Sequence, residues 1–460
     1  MAEQNKLGTA PIGRLLASLA VPCIAAQVVN LLYNIIDRIY IGHIPETGTA
    51  ALTGVGVTFP IIMIISAFAA LVGMGGAPRA SIKMGQKDND GAEKILGNCL
   101  ALSVVMSAVL MVVFLIFGQD LLMLFGASEN TLPYGWSYMS IYVLGTFFVT
   151  ITLGLNSFIS TQGFAKTSMI TVIIGAVINI ILDPIFIFVF DMGVRGAALA
   201  TIISQGVSCI WVLRFLMSKR SILRIRRKNL RFQKEYLLPV LALGISPFIM
   251  QSTESLLNIC FNSSLQRYGG DLAVGAMTIL SSIMQIFSLP VMGLAQGAQP
   301  IISYNYGAKN KERVTHTFRL LFICSITFST LFWLMNMAFP QLLVSLFAST
   351  EEFKTYSMWA LRIYLACGFI MGVQNSCQQT FIAIGEAKIS LFLALLRKII
   401  LLIPLIYILP MFFADKVFAV FLAEPIADFL AASTTFICFK IQFKKVVSQM
   451  PDALPVAAKK

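Results

Sequence analysis

Stretches of twenty or more apolar residues recur along the whole of this 460-residue chain. That pattern leaves few folds open. A run of about 20 apolar residues is what a helix needs to cross the hydrocarbon core of a bilayer. Backbone polar groups inside lipid must find partners within the protein, so only helices or a closed barrel can span. The runs are continuous rather than alternating, which selects helices. We read twelve spans, at roughly 15–41, 51–76, 95–118, 134–158, 168–191, 196–217, 237–262, 272–299, 318–340, 356–382, 388–413 and 417–439. Only 12% of residues are charged, far too few for the surface of a soluble protein this long. The first span carries Asn30, Asn34 and Asp37 and has no small-residue cleavage site before the next polar loop. It therefore reads as a helix that stays, not as a signal peptide.

The net charge of +13 sits in short loops. Nine basic residues and no acidic one fall between Arg214 and Lys234. Other basic loops run from Arg79 to Lys94 and from Lys309 to Arg319, with Lys440, Lys444 and Lys445 near the end. All follow even-numbered spans, so the positive-inside rule puts both termini and the 214–234 segment in the cytoplasm. This is a topology signal with the lipid bilayer as partner, and no nucleic-acid partner is implied. Eight cysteines lie in or beside spans without metal-ligand spacing and read as small core residues.

A repeat organises the chain. Shifted by 222 residues, Gly48 to Ser168 falls on Gly270 to Ser390 without a gap. Gly75 meets Gly297, Pro78 meets Pro300, Gly85 meets Gly307, Lys87 meets Lys309, Tyr142 meets Tyr364 and Gly163 meets Gly385. Before Gly48 the shift becomes 225, pairing Pro22 with Pro247 and Asp37 with Asn262. Six spans per half is an even number, so both halves insert the same way. The expected fold is an all-α polytopic membrane protein, its twelve transmembrane helices forming two six-helix bundles about a pseudo-two-fold axis along the membrane normal. The bundles would occupy 1–213 and 235–460, joined by a basic cytoplasmic linker at 214–234. Two complete halves suffice as a monomer. Parallel repeats around a midplane site suit alternating access.

Charges and amides at membrane depth are costly, and so mark candidate sites. Gln27, Asn30, Asn34 and Asp37 form one stripe on the first span. Asn179 and Asp183 share a face of the fifth, Pro184 removes a donor and loosens the turn that precedes it, and Thr201 lies on the sixth. These oxygens suit Na⁺ as hard ligands, and a desolvated carboxylate can equally carry a proton. The matching second-half positions are Leu401 and Leu405, so a cation site would belong to the first half. The seventh span repeats the polar stripe with Gln251, Ser255, Asn258 and Asn262, and Glu254 at its edge. Gln374 and Gln378 make a wet patch on the tenth. Met284 and Phe287 on the eighth are adaptable apolar residues of the kind a promiscuous pocket uses. Arg397 and Lys398 on the eleventh span are expected to pair with Glu424 and Asp428 on the twelfth. Nothing reads as an enzyme: G-x-S-x-G, H-E-x-x-H and a P-loop are all missing. Without a P-loop, the drive is expected from an ion gradient, H⁺ or Na⁺, with no cofactor.

Three runs carry a family resemblance: "GLAQGAQPIISYNYGAKN" at 293–310, "NIIDRIYIGH" at 34–43 and "INIILDPIFIF" at 178–188. They resemble the corresponding segments of MATE (multidrug and toxic compound extrusion) transporters, and the likeness extends over the whole chain, nearest the bacterial MepA-like branch. The resemblance implies outward transport of bulky, often cationic compounds from the bacterial cytoplasm, exchanged for H⁺ or Na⁺. It also implies a first-half cation site at Asp37, Asn179, Asp183 and Thr201, which would be the metal ligands if the ion is Na⁺. Glu254 takes roughly the place of an acid that another branch uses, within a different local sequence. Two rivals remain. A flippase or exporter of another amphipathic solute in a related fold would favour a basic cavity. A major facilitator transporter would carry G-x-x-x-D-[RK] after the second span, where this chain reads "GGAPRASIKMGQKDND".

Overall fold

The computed structural model describes residues 2–45, 47–347 and 350–450. The outer ends of the two expected bundles, Met1 and 451–460, lie outside these. Helices in chain order are α1 (Ala2–Thr9), α2 (Ile12–Gly42), α3 (Gly48–Gly85), α4 (Asn89–Leu124), α5 (Leu132–Leu144) and α6 (Thr146–Thr161). Next come α7 (Ala165–Pro184), α8 (Val194–Met217), α9 (Lys234–Gly307) and α10 (Lys311–Ala338). The chain closes with α11 (Gln341–Val344), α12 (Glu351–Tyr364), α13 (Met371–Ile384), α14 (Ala387–Leu395), α15 (Ile403–Ile408) and α16 (Lys416–Ser448).

Nine of the described helices are long and apolar enough to cross a membrane. Two further spans are bent pairs, α5 with α6 at 58° and α12 with α13 at 50°. The 74-residue α9 holds two spans, because Gly270 turns the chain at φ 64° and ψ −160°. Nine, two and the extra limb of α9 make twelve. The bends at Gly145 and around Cys367 were not legible as breaks in the apolar pattern. Neither was α1, a short amphiphilic helix ahead of the first span. Leu7 is buried, and its carbonyl accepts from Asn305 Nδ2 (2.9 Å) and Arg313 Nη2 (3.1 Å). The cysteines are free, but Cys324 is exposed rather than in the core.

The repeat is visible atom by atom. Lys87 and Lys309 both adopt positive φ, 64° and 57°. The next residues cap the following helices in the same way: Asp88 accepts from Gly91 N (2.9 Å) and Asn310 from Arg313 N (3.2 Å). Gly85 packs against the Tyr304 carbonyl, and Gly307 against the Ile82 carbonyl. The 222-residue shift turns one contact into the other, as a pseudo-two-fold axis between α3 and the second limb of α9 requires. Likewise, Gly75 lies against Gly244, and Gly297 against Ala20, positions that the shifts place within one residue of each other.

Core packing defines the shape. At the end carrying the basic loops, each core mixes the halves. One joins Leu15, Leu19 and Cys23 of α2 to Ala298 and Ile301 of α9. The other joins Leu71, Ala77 and Met84 of α3 to Val240 of α9. At the opposite end the cores are separate. Ile41, Ile61, Tyr138 and Ile187 belong to a purely first-half core, and Leu257, Phe261, Leu361 and Phe421 to a purely second-half one. The molecule is thus two lobes closed at the basic end and parted at the other. The aromatic contact Phe68–Phe248 (4.8 Å between centroids) and the Gln27–Gln296 hydrogen bond (3.1 Å) floor the cleft between them.

The glycine contacts make a prediction. A leucine at Gly85 would push α3 away from α9, an overpacking cost of about 1–3 kcal/mol. Gly85→Leu should lower the melting temperature of the purified protein by several degrees. Gly56→Leu, on the same helix where added carbons meet open space, should leave it unchanged.

Candidate functional site

The first-half cluster forms as the sequence suggests. Asp37 lies near the end of α2, where the helix parts from the other lobe, and is half-buried. Asn179 and Asp183 point inward from the last turns of α7, at 1% and 0% exposure. Asn179 Nδ2 donates to Asp183 Oδ1 (3.2 Å) and to Thr201 Oγ1 on α8 (3.4 Å). Thr201 Oγ1 donates to the Ala197 carbonyl (3.0 Å). The Asp37 and Asp183 carboxyls meet directly across the α2–α7 interface. Pro184 has no N–H for the Ile180 carbonyl, and the chain continues as a wide π-helical turn over Ile185–Val189.

The site has more acceptors than donors. Asp37 Oδ1, Asn179 Oδ1 and Asp183 Oδ2 are buried with no hydrogen-bond partner. Two carboxylates in contact in such surroundings need a proton or a cation to balance them. The oxygen-only set fits a hard monovalent ion as well as a shared proton. The Arg38 guanidinium lies over the Phe59 ring at 5.6 Å, and its charge acts on Asp37 without a salt bridge to it. Two tyrosines missed in the sequence complete the wall. Tyr33, one turn before Asp37, faces both carboxyls, and the buried Tyr138 on α5 lies beside Thr201. The repeat held a signal for Tyr138, because its second-half counterpart is Ala360.

The remaining candidates divide. Gln27 closes the floor, while Asn30 and Asn34 continue up α2, Asn34 Nδ2 donating to the Asn30 carbonyl (2.7 Å). On α9, Gln251 and Ser255 are half-buried, and Asn258 and Asn262 are exposed along the same stripe. Gln374 and Met284 are half-buried. Two assignments to the cavity need correction. Phe287 is 3% exposed and stacks on Phe328 and Phe332 of α10, inside the second lobe. Gln378 is also buried; it donates to the Ser390 carbonyl (2.8 Å) and Ser246 Oγ (3.2 Å), tying α13 to α14 and α9. Apolar periodicity alone could not separate a cavity wall from a lobe core. The expected pairing between the eleventh and twelfth spans forms only in part. Arg397 donates to Asp428 (2.7 Å) and Glu424 (3.2 Å), but Lys398 turns to α9, bonding the Met250 carbonyl (2.7 Å) and pairing with Glu254.

This architecture, two parallel lobes around a polar cleft with a carboxylate site in one wall, is that of a membrane transporter. The sequence model of the MatE family matches residues 22–185 and again 247–408, once in each half of the repeat. The chain belongs to that family. The multidrug export protein MepA of Staphylococcus haemolyticus is 24% identical over 94% of both chains. A solved structure of MATE in the bent conformation superposes with a TM-score of 0.91 at 23% identity, over 98% of this chain and 99% of that one. An outward-facing multidrug resistance MATE family transporter superposes with a TM-score of 0.88 at 23% identity, over 96% and 98%.

Asn179 supplies the site's amide donor, and leucine holds its place in the second half. Asn179→Leu removes both hydrogen bonds from buried partners, a loss of about 1–3 kcal/mol. Its melting temperature should fall below that of Asn34→Leu, which removes an exposed bond within one helix.

Proposed function

We propose that this protein exports bulky organic cations from the bacterial cytoplasm in exchange for H⁺ or Na⁺, by alternating access. The observation that carries the reading is the Asp37–Asp183–Asn179 cluster, with its three unpartnered oxygens, at the wall of a cleft closed on one side only. Membership of the MatE family and the MepA name of its relative support multidrug compounds as the cargo. The basic loops put the closed end, both termini and the 214–234 linker in the cytoplasm. The cleft then faces outward, in the state that releases cargo and takes up the ion. The division into lobes at the linker supports a monomer as the working unit.

Asp37, Asn179, Asp183 and Thr201 hold the ion in this scheme. When it binds, the repulsion between the two carboxylates is relieved and α2 and α7 draw together. α2 also packs along the second lobe near its start, so a shift at Asp37 biases the joint between lobes. A ligand moves such an equilibrium only by its difference in affinity for the two states. An ion that sits between two carboxylates in one arrangement, and loses one of them in the other, has that difference.

Reconstitution in liposomes tests this. Ethidium loaded on the cytoplasmic side should be pumped under an imposed Na⁺ or H⁺ gradient, and the effective gradient names the ion. Asp37→Asn and Asp183→Asn should each slow transport at least tenfold. If both move ethidium as fast as the parent, the coupling role of the cluster is wrong.

A further inference from the structure

The second lobe holds a charge network that has no counterpart in the first. Glu254 on α9, Arg397 and Lys398 beyond α14, and Glu424 and Asp428 on α16 meet at membrane depth. Arg397 and Lys398 lie within a π-helical turn, Leu396–Leu402, which lets two consecutive residues face different helices. Arg397 serves the buried carboxylates of α16, and Lys398 serves Glu254. The exposures are lopsided: the Lys398 side chain is 6% exposed, that of its partner Glu254 57%. Glu254 lies on the polar edge of α9 with Gln251 and Asn258, six residues beyond Phe248 in the floor, about 9 Å up the helix. A polar edge facing lipid would be left unsatisfied, so this one faces the cleft.

The repeat fixes how deep this pair lies. The counterpart of Asp37 is Asn262, eight residues past Glu254, and that of Asp183 is Leu405, seven past Lys398. The second-lobe pair therefore sits about 10–12 Å nearer the closed end than the first-lobe carboxylates. Cargo coming from the cytoplasmic end therefore reaches Glu254 before it reaches the level of Asp37.

We propose that Glu254 and Lys398 are an internal ion pair that a cationic substrate opens, taking the Glu254 carboxylate while the released Lys398 ammonium gives a proton to water in the cleft. This rests on the reading of the chain as an exporter of organic cations. The step is balanced: the N–H bond of the ammonium breaks, its electron pair stays on nitrogen, and the proton leaves as hydronium. The substrate's positive charge replaces the one lost, so the lobe's charge is unchanged. The surroundings favour this outcome. Lys398 is enclosed by protein, with Arg397 beside it. The other groups facing the network are Glu424 and Asp428, both held by Arg397, and the Tyr364 phenol of α12. An ammonium so enclosed keeps its charge through its partner carboxylate, and an amine stripped of that partner is neutral at least cost. Glu254 is thus a substrate-specificity residue, and Lys398 makes its occupancy by a cation release a proton, separately from the first-lobe site.

The test is proton release on ethidium binding to the full-length protein in weakly buffered detergent, followed with a soluble pH dye. Asp37→Asn with Asp183→Asn serves as background, to silence both first-lobe carboxylates. In that background, ethidium should release close to one proton per molecule bound. Adding Lys398→Arg, whose guanidinium keeps its proton, should abolish the release while ethidium still binds. Adding Lys398→Gln should also abolish release and tighten binding about tenfold, because the competitor for Glu254 is gone. Glu254→Gln should weaken binding. The double replacement Glu254→Gln with Lys398→Met removes both partners and guards against misfolding of a single variant. It should bind weakly and release nothing. Undiminished release from the Lys398→Arg protein overturns the proposal, as does Lys398→Gln weakening ethidium as much as Glu254→Gln. Failure of the parent to bind ethidium overturns instead the reading of the cargo as organic cations.

Discussion

Close backbone approach at one end holds the two lobes together. Gly75, Gly85, Gly244, Gly297 and Gly307 let α2, α3 and the two limbs of α9 meet without intervening side chains. In a bilayer there is little hydrophobic gain in bringing apolar helices together, so such contacts rely on close packing. Because the glycines cluster toward the basic end, the lobes are joined there and free at the other. The cleft, its exposure and the separation of the far cores all follow from where these residues fall. A machine that must open alternately needs a contact that can be exchanged. Small residues related by a pseudo-two-fold axis give one, since neither face is locked by long side chains.

Charge placement uses that frame unequally. In the first lobe, one amide donor serves Asp183 and Thr201, and three oxygens, of Asp37, Asn179 and Asp183, stay unmatched. In the second, three carboxylates meet two cations, and the cations decide who pairs with whom. The first lobe is short of hydrogen-bond donors and of positive charge. The second carries its counter-ions on its own side chains, where they are displaced rather than recruited. The two sites also sit at different depths along the same set of helices.

Much of this was legible in the sequence, for definite reasons. Apolar length and loop charge give the spans and their orientation, because the bilayer acts on each segment separately. The repeat at 222 announces the parallel lobes. The match of Asp183 to Leu405 placed the oxygen-rich site in the first half. Local pattern could not follow contacts between distant segments. Lys398 has acidic residues on the adjacent span, yet it pairs with Glu254, 144 residues away. The π-helical turn that redirects it leaves no mark in hydropathy. Phe287 and Gln378 share helices with cavity residues but turn into the lobe core, a matter of rotation among neighbours that periodicity does not fix.

The chain's own composition thus settled what is decided one helix at a time: that it spans a membrane, how often, and that it does so twice over. Those properties depend on how each segment partitions between water and lipid. Only the tertiary structure decided which end of the lobes is closed, that Asp37 meets Asp183, that Asn179 reaches Thr201, and that Lys398 answers Glu254. These depend on side chains from separate helices competing for the same few partners, where burial makes every unmatched charge costly.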